Sequence, residues 1–194
     1  MAKERTLKIG NRKYPSADKI GSRSSTIARS MASTLMPRIG ANASDCEKMA
    51  KLLYGINKLP ETLKCVYCGR DATHLDHLHP LIDNKEPTGY FTEPANLVPC
   101  CSSCNQKKGN DEWDVFMKKK EEKFKYLDQD GKKEERITRL RAFVKEMPAT
   151  KLSIDKGFME KWRIIYKTII DNLDKAQETL IEYSEQLNAC VASK

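Results

Sequence analysis

Four of the seven cysteines in this 194-residue chain form two pairs with C-x2-C spacing. Cys65 is paired with Cys68 and Cys101 with Cys104, and 32 residues lie between the two pairs. Each spacing lets one tight turn present two thiolates, and four thiolates complete a tetrahedral shell for zinc. Because no coordination position stays open, we expect this zinc to be structural. Cys100 adjoins the second pair but breaks its spacing, so its role is left open.

A second group of polar residues, suited to hydrolysis, stands inside this cysteine frame and next to it. Asp76 and His77 lie between the pairs, and Asn105 directly follows Cys104. A carboxylate and an amide oxygen suit Mg²⁺ or Mn²⁺, and a neutral imidazole can take a proton from water near pH 7. These groups could hydrolyse a phosphodiester. An Asp-His pair alone is a weak signal, and its position in the frame is what strengthens it.

The combined pattern resembles a known family. It reads C-x2-C, Asp-His-x-x-Pro-Leu, Asn-Leu-x-x-x-Cys and C-x-x-C-Asn-x-x-Lys-Gly over residues 65–110. This is similar to the zinc-stapled HNH endonucleases with the ββα-metal fold. The resemblance implies an α+β core, in which a β-hairpin and a helix surround one divalent ion. Asp76 and Asn105 stand where other branches have His, and both variants occur in members that use magnesium or manganese.

The resemblance also implies a role for each residue of the motif. His77 would be the general base, and Asp76 and Asn105 would bind the catalytic Mg²⁺ or Mn²⁺. Asn96 would be the middle residue of the motif, pinning a loop and orienting the base. Three further residues are candidates for phosphate contacts: Lys107, Lys108 and His79.

The net charge of +8 is concentrated in the N-terminal part of the chain. Residues 1–40 carry nine Lys or Arg against two Asp or Glu, a net of +7, whereas residues 41–110 balance eight against eight. Because hydrophobic periodicity is weak here, we expect an extended or loop-rich arm that neutralises DNA phosphates. A solvated tail is the alternative that the charge alone leaves open. The candidate DNA contacts in this arm are Arg5, Arg12, Arg23 and Arg29.

Sequence patterns also predict the surrounding elements. We expect a short helix capped by Ser44 and ended by Gly55, β structure over 72–79, and a helix from Ser102 or Ser103 that is interrupted near Gly109. Further helices are expected over 133–147 and 156–188. The predicted organisation is a basic arm with a short helix (1–60), a nuclease core (61–115) and a mainly helical region (116–194).

The last predicted helix has apolar residues spaced alternately by four and three. They are Trp162, Tyr166, Ile169, Leu173, Ala176, Leu180, Tyr183 and Leu187. This heptad pattern is typical of coiled coils and predicts a homodimer. Packing of the helix on its own domain is an equally weighted alternative.

These features together suggest a type II restriction endonuclease that cuts double-stranded DNA and leaves 5′-phosphate ends. The motif spans about a quarter of the chain, so the remainder would supply specificity. A phage or mobile-element HNH nuclease is an alternative, as is a DNA-binding module that has lost catalysis. The trio Asp76, His77 and Asn105 argues against the silent module, which would not need it. A thiol redox protein would require a βαβ context that is absent.

The sequence also gives expectations for the cellular location. It contains no run of about 18 apolar residues, so no membrane span is expected. The charged N-terminus lacks an apolar signal segment, and the cysteine spacing favours thiolate chemistry over disulfides. We therefore expect a cytoplasmic protein in a reducing compartment.

Overall fold

A computed structural model of the protein describes residues 8–9, 12–13 and 24–192, with side chains from residue 24 onward except those of residues 184 and 187–192. The helices are α1 (Ser24–Leu35), α2 (Ala43–Met49), α3 (Ser102–Lys108), α4 (Trp113–Lys118), α5 (Lys133–Glu146) and α6 (Lys156–Ala192). The strands are β1 (Lys8–Ile9), β2 (Arg12–Lys13), β3 (His74–His77), β4 (Ile82–Asp83), β5 (Glu86–Pro87) and β6 (Leu97–Cys100). A π-helical turn (Ala50–Tyr54) extends α2, and a 3₁₀ helix (Glu122–Asp128) precedes α5.

Strands β3 and β6 and helix α3 form the unit that carries the motif. The strands pair antiparallel, so that Asp76 lies opposite Val98 and His77 opposite Leu97. Helix α3 follows β6 directly, with Cys101 as its N-cap residue. The short hairpin β4–β5 lies in the connection between the two strands. This arrangement is the ββα-metal core, and the α+β fold class predicted from the sequence is confirmed.

The larger of two hydrophobic clusters joins the cysteine turns to α4 and α5. Tyr67 is fully buried, and the ring of Phe116 meets it edge-on with the centroids 5.3 Å apart. Leu140 and Phe143 of α5 belong to the same cluster. Residues on both sides of position 115, where the sequence suggested a division, therefore share one hydrophobic interior.

Helix α1 corrects the expectation for the basic arm. Residues 24–35 are helical rather than extended or loop-rich. The buried side of α1 consists of Ala28 and Ala32, which have no exposed surface. Alanines contribute little to a hydrophobic pattern, so residues 24–35 show no periodic signal for a packed helix.

The smaller hydrophobic cluster holds α1 against the rest of the protein. Ala28 and Ala32 pack there with Leu81, Ile82 and Trp162.

Of the candidate DNA contacts in the arm other than Arg29, Arg5 and Arg23 lie outside the described residues, and Arg12 is described by its backbone alone.

Among the described residues, the first turns of helix α6 supply its packing contacts with the domain. The side chain of Asp155 caps it by accepting a hydrogen bond from the Phe158 N–H at 2.8 Å. Trp162 is 2 % exposed and Tyr166 packs beside it, whereas several apolar side chains further along the helix are largely exposed. Apolar side chains of α6 that are at least half exposed are Ile164, Ile165, Leu180, Ile181 and Tyr183. Leu187 lies outside the described side chains.

Candidate active site and zinc centre

The two cysteine pairs meet at one end of the ββα core. The Sγ atoms of Cys65, Cys68, Cys101 and Cys104 all lie within 4.8 Å of one another, and all four residues are buried. The Cys68 and Cys101 Sγ atoms are 3.7 Å apart. A tetrahedron with Zn–S bonds of about 2.3 Å has an edge of roughly 3.8 Å, so the spacing fits zinc. Cys100 is buried in β6 outside this group.

The first cysteine pair sits on a turn that ends at Gly69. The Gly69 N–H donates to the Cys65 carbonyl at 2.9 Å, and the φ of +76° at this residue favours glycine. The next residue, Arg70, aims its guanidinium at the sulfur atoms. Its Nε donates to Cys68 Sγ at 3.4 Å and its Nη2 to Cys101 Sγ at 3.7 Å. A cation at this position favours thiolates, which is the form that binds zinc.

Asp76, His77 and Asn105 line one open cleft of about 190 Å³. Strand β3 supplies the first two residues, and Asn105 comes from α3, which packs on that strand. Arg29 of α1 and Asn110 complete the polar side of the cleft. The structure therefore brings together the three residues that the motif singles out. Carboxylate and amide oxygens are a donor set suited to Mg²⁺ or Mn²⁺, and further positions stay open for water and phosphate.

Two buried side chains hold the Asp76 carboxylate. The Tyr67 hydroxyl donates to Asp76 Oδ2 at 2.7 Å, and the Lys108 ammonium lies 3.3 Å from the same oxygen. Burial raises the pKa of Asp76 above its ordinary value, against the opposing effects of Lys108 and Tyr67. A divalent ion would favour the ionised form further.

His77 is held as a neutral imidazole. Its Nε2 lies 3.0 Å from the hydroxyl of Thr92. Burial, followed by the charges of Lys108, Arg29 and Arg38, lowers the pKa of His77 from 6.5 to about 4. At pH 7 the ring is therefore uncharged and can accept a proton.

Asn96 ties the loops around the cleft together. It is fully buried, and its Oδ1 accepts from the His79 N–H at 2.8 Å. Its Nδ2 donates to the carbonyls of His79 and Phe91, at 3.1 and 3.0 Å. One amide thus fixes the segment after His77 and the segment before Thr92, the two segments that meet at the base.

The three candidate phosphate contacts lie away from the cleft lining. Lys108 is fully buried and donates to the His77 carbonyl at 2.6 Å, so its burial argues against a phosphate contact and corrects that expectation. Lys107 lies over the ring of Tyr126, 4.1 Å from its centroid. His79 pairs through Nδ1 with Glu112 at 2.7 Å, and its ring stacks on that of Tyr90.

Two residues that contact the motif were missed in the sequence. Tyr67 stands between two cysteines, and Thr92 stands in an irregular loop; neither spacing signals a contact with Asp76 or His77. Arg29 was proposed only as one of several equivalent arginines.

The fold and the grouped side chains define a ββα-metal domain, and comparison with known families agrees. Residues 65–111, about a quarter of the chain, match the family model described as HNH endonuclease. The matched residues include all four clustered cysteines, so this part of the chain is similar to an HNH endonuclease domain. No curated protein and no solved structure matches the chain significantly. Among the described residues, no helix is both long and apolar enough to span a membrane.

Proposed function

We propose that the protein is a sequence-specific endonuclease of double-stranded DNA, of the type II restriction class. The observation that carries this proposal is the shared cleft of Asp76, His77 and Asn105, in which the histidine is neutral. A domain that only binds DNA would need neither a base with a lowered pKa nor an oxygen-rich pair beside it.

His77 is the general base in this proposal. When Nε2–H donates to Thr92, the lone pair of the neutral ring lies on Nδ1, which has no hydrogen-bond partner among the described residues. Nδ1 takes a proton from a water that attacks the phosphorus. The P–O3′ bond breaks, and the leaving O3′ takes a proton from solvent water, which leaves a 5′-phosphate and a 3′-hydroxyl.

Asp76 and Asn105 would hold one Mg²⁺ or Mn²⁺ at the cleft. The ion supplies Lewis-acid stabilisation of the charge that grows on the phosphate and the leaving oxygen. Tyr67 and Lys108 keep the carboxylate oriented toward that position. Asn96 keeps the loops on both sides of His77 together.

Zinc bound by the four clustered cysteines would hold the shape of the domain and take no part in hydrolysis. The cluster lies on the turn after Cys65 and at the start of α3, so one ion would tie together both ends of the motif. None of the described cysteines forms a disulfide, which supports action in a reducing compartment such as the cytoplasm.

Restriction-type specificity is supported by the amount of chain outside the matched domain. About three quarters of the residues lie there, and the basic excess of residues 1–40 offers contacts to DNA. In this proposal Arg5, Arg12 and Arg23 contact DNA outside the cleft, through phosphates or guanine edges. A nuclease of phage or mobile-element origin would share the cleft and differ in sequence specificity.

A homodimer through α6 would give the enzyme two sites for two strands. Two apolar side chains in the later turns of this helix, Leu180 and Tyr183, are 62 % and 59 % exposed. The double variant Leu180→Lys/Tyr183→Lys should sediment as a monomer where the wild type sediments as a dimer. Glu178→Lys, on the polar side of the same helix, is the matched control and should leave the dimer intact.

Digestion of a defined plasmid with Mg²⁺ tests the proposed activity directly. Discrete fragments support restriction-type specificity, and a smear supports a nuclease without it. His77→Ala should lose cleavage while keeping DNA affinity and zinc content. Cleavage retained by His77→Ala would contradict the assignment of His77 as the general base. A wild-type protein that does not cut the plasmid would favour a protein that only binds DNA.

A further inference from the structure

Arg29 reaches the catalytic cleft from α1, which precedes the matched domain in the chain. Its side chain lines the cleft together with His77 and Asn105. The Nη2 atom donates to Asn110 Oδ1 at 2.9 Å, which fixes one arm of the guanidinium at the rim. The cleft is therefore completed by a residue that no part of the HNH motif contains.

Most N–H donors of the Arg29 guanidinium are not used within the described part of the chain, and no carboxylate there pairs with its charge. Within the described part of the chain it forms no ion pair, and its one hydrogen bond goes to a neutral amide. Lys108, the buried cation behind the cleft, is neutralised by Asp76. A guanidinium has five N–H donors in a planar fork, which matches two oxygens of a phosphate. Arg29, the exposed cation of the cleft, therefore has no anionic partner among the described residues.

Packing of α1 holds Arg29 at this position. Its neighbour Ala28 has no exposed surface and lies in the cluster formed with Ile82 and Trp162. The helix can approach so closely because alanine has a small side chain. Arg29 is consequently fixed by a packed helix, unlike a residue on a free arm.

The segment after α1 is tied to the same site. The Thr92 N–H donates to the Pro37 carbonyl at 3.1 Å, and the Ile39 N–H donates to the Thr92 carbonyl at 2.9 Å. Thr92 is the residue whose hydroxyl contacts His77. The segment that carries Arg29 therefore contacts the domain at two places, the small cluster and Thr92.

We propose that Arg29 is a catalytic residue that binds the non-bridging oxygens of the scissile phosphate. This inference rests on the proposed nuclease function and gives Arg29 a role different from reading bases in a groove. The guanidinium would bind the phosphate opposite His77 and stabilise the negative charge that accumulates as water attacks. Helix α1 is then part of the active site.

Single-turnover cleavage of a supercoiled plasmid with saturating enzyme and Mg²⁺ tests this role. Arg29→Ala should lower the saturated rate by about 100-fold, the usual effect of removing one donor to a transition-state oxyanion. Arg29→Lys keeps the charge without the fork and should give an intermediate rate. The matched control is Arg141→Ala, which removes an exposed arginine of α5 outside the cleft and should cut at the wild-type rate. Zinc content and melting temperature verify that each variant is folded.

DNA affinity, measured with Ca²⁺ in place of Mg²⁺ to prevent cleavage, separates the outcomes. A fall in the saturated rate supports the inference, whatever the change in Kd. A raised Kd with an unchanged saturated rate would make Arg29 a binding contact only and overturn it. Unchanged rate and Kd would overturn it as well, while the nuclease function stands. A wild type that cuts no DNA overturns the proposed function, and this inference with it.

Discussion

The hydroxyl of Thr92 lies 3.0 Å from Nε2 of His77 and joins the base to a loop that Asn96 and the segment after α1 hold from two sides. A hydroxyl here can accept the Nε2–H and so fix the tautomer in which Nδ1 carries the lone pair. In the proposed mechanism Thr92 is therefore a positioning residue, since its observed contact is with the base.

Thr92→Val should lower the saturated cleavage rate by about tenfold, because a hydrogen bond of roughly 1 to 1.5 kcal/mol no longer orients the imidazole. Thr92→Ser retains the hydroxyl and should recover most of the rate. Single-turnover kinetics at saturating enzyme measure both variants, and the Kd for DNA should be unchanged in each. Equal rates for Val and Ser would show that the hydroxyl does not position the base.

The pKa of His77 gives a second expectation. Because burial and nearby cations lower it from 6.5 to about 4, the ring is the neutral base from pH 5 upward and is lost as a base only below about pH 4. An NMR titration of the zinc-loaded protein without Mg²⁺ should place the His77 transition near 4. A His77 transition at or above 6.5 would contradict the burial argument.

Tyr67 should control metal affinity through Asp76. Tyr67→Phe removes the donor 2.7 Å from Asp76 Oδ2 in a fully buried environment. Loss of such an outer-shell partner commonly costs 10–100-fold in metal affinity or activity, so half-maximal activity should need about tenfold more Mg²⁺. The matched control is Tyr54→Phe, which removes a hydroxyl bonded to the Lys64 carbonyl outside the cleft. An unchanged Mg²⁺ requirement in Tyr67→Phe would remove this role.

The four-cysteine cluster and the grouping of Asp76, His77 and Asn105 could be predicted because their residues lie close together in the sequence. C-x2-C spacing and the Asp76-His77 pair are local signals, and the fold brings them to one core. Tyr67 and Thr92 gave no such signal, because their contacts depend on how the strands and loops close. Helix α1 was missed because alanines form its buried side, and the packing partner Trp162 is more than a hundred residues away.

Zinc should be required for folding, and the chain offers a control among its own cysteines. Cys104→Ala removes one of four clustered thiolates. Because the free energy of zinc binding contributes to the stability of the fold, the variant should lose zinc and unfold at a much lower temperature. Cys100→Ala changes an adjacent buried cysteine outside the cluster and should keep its zinc. Colorimetric release of zinc and thermal melting measure both effects. A folded, zinc-free Cys104→Ala protein with normal activity would contradict a structural metal.

The N-terminal arm and α1 should be separable in their effects on DNA. Residues 1–23 carry seven Lys or Arg against two Asp or Glu, whereas α1 carries Arg29 into the cleft. Deleting residues 1–23 should therefore weaken DNA binding and flatten its salt dependence, since fewer counterions are released, while the saturated cleavage rate stays near wild type. Arg29→Ala should instead lower the saturated cleavage rate, whatever its effect on DNA affinity. Titrations of DNA affinity from 50 to 200 mM salt, combined with single-turnover rates, compare the two proteins. An unchanged salt slope after deletion would make residues 1–23 a tail without a role in binding.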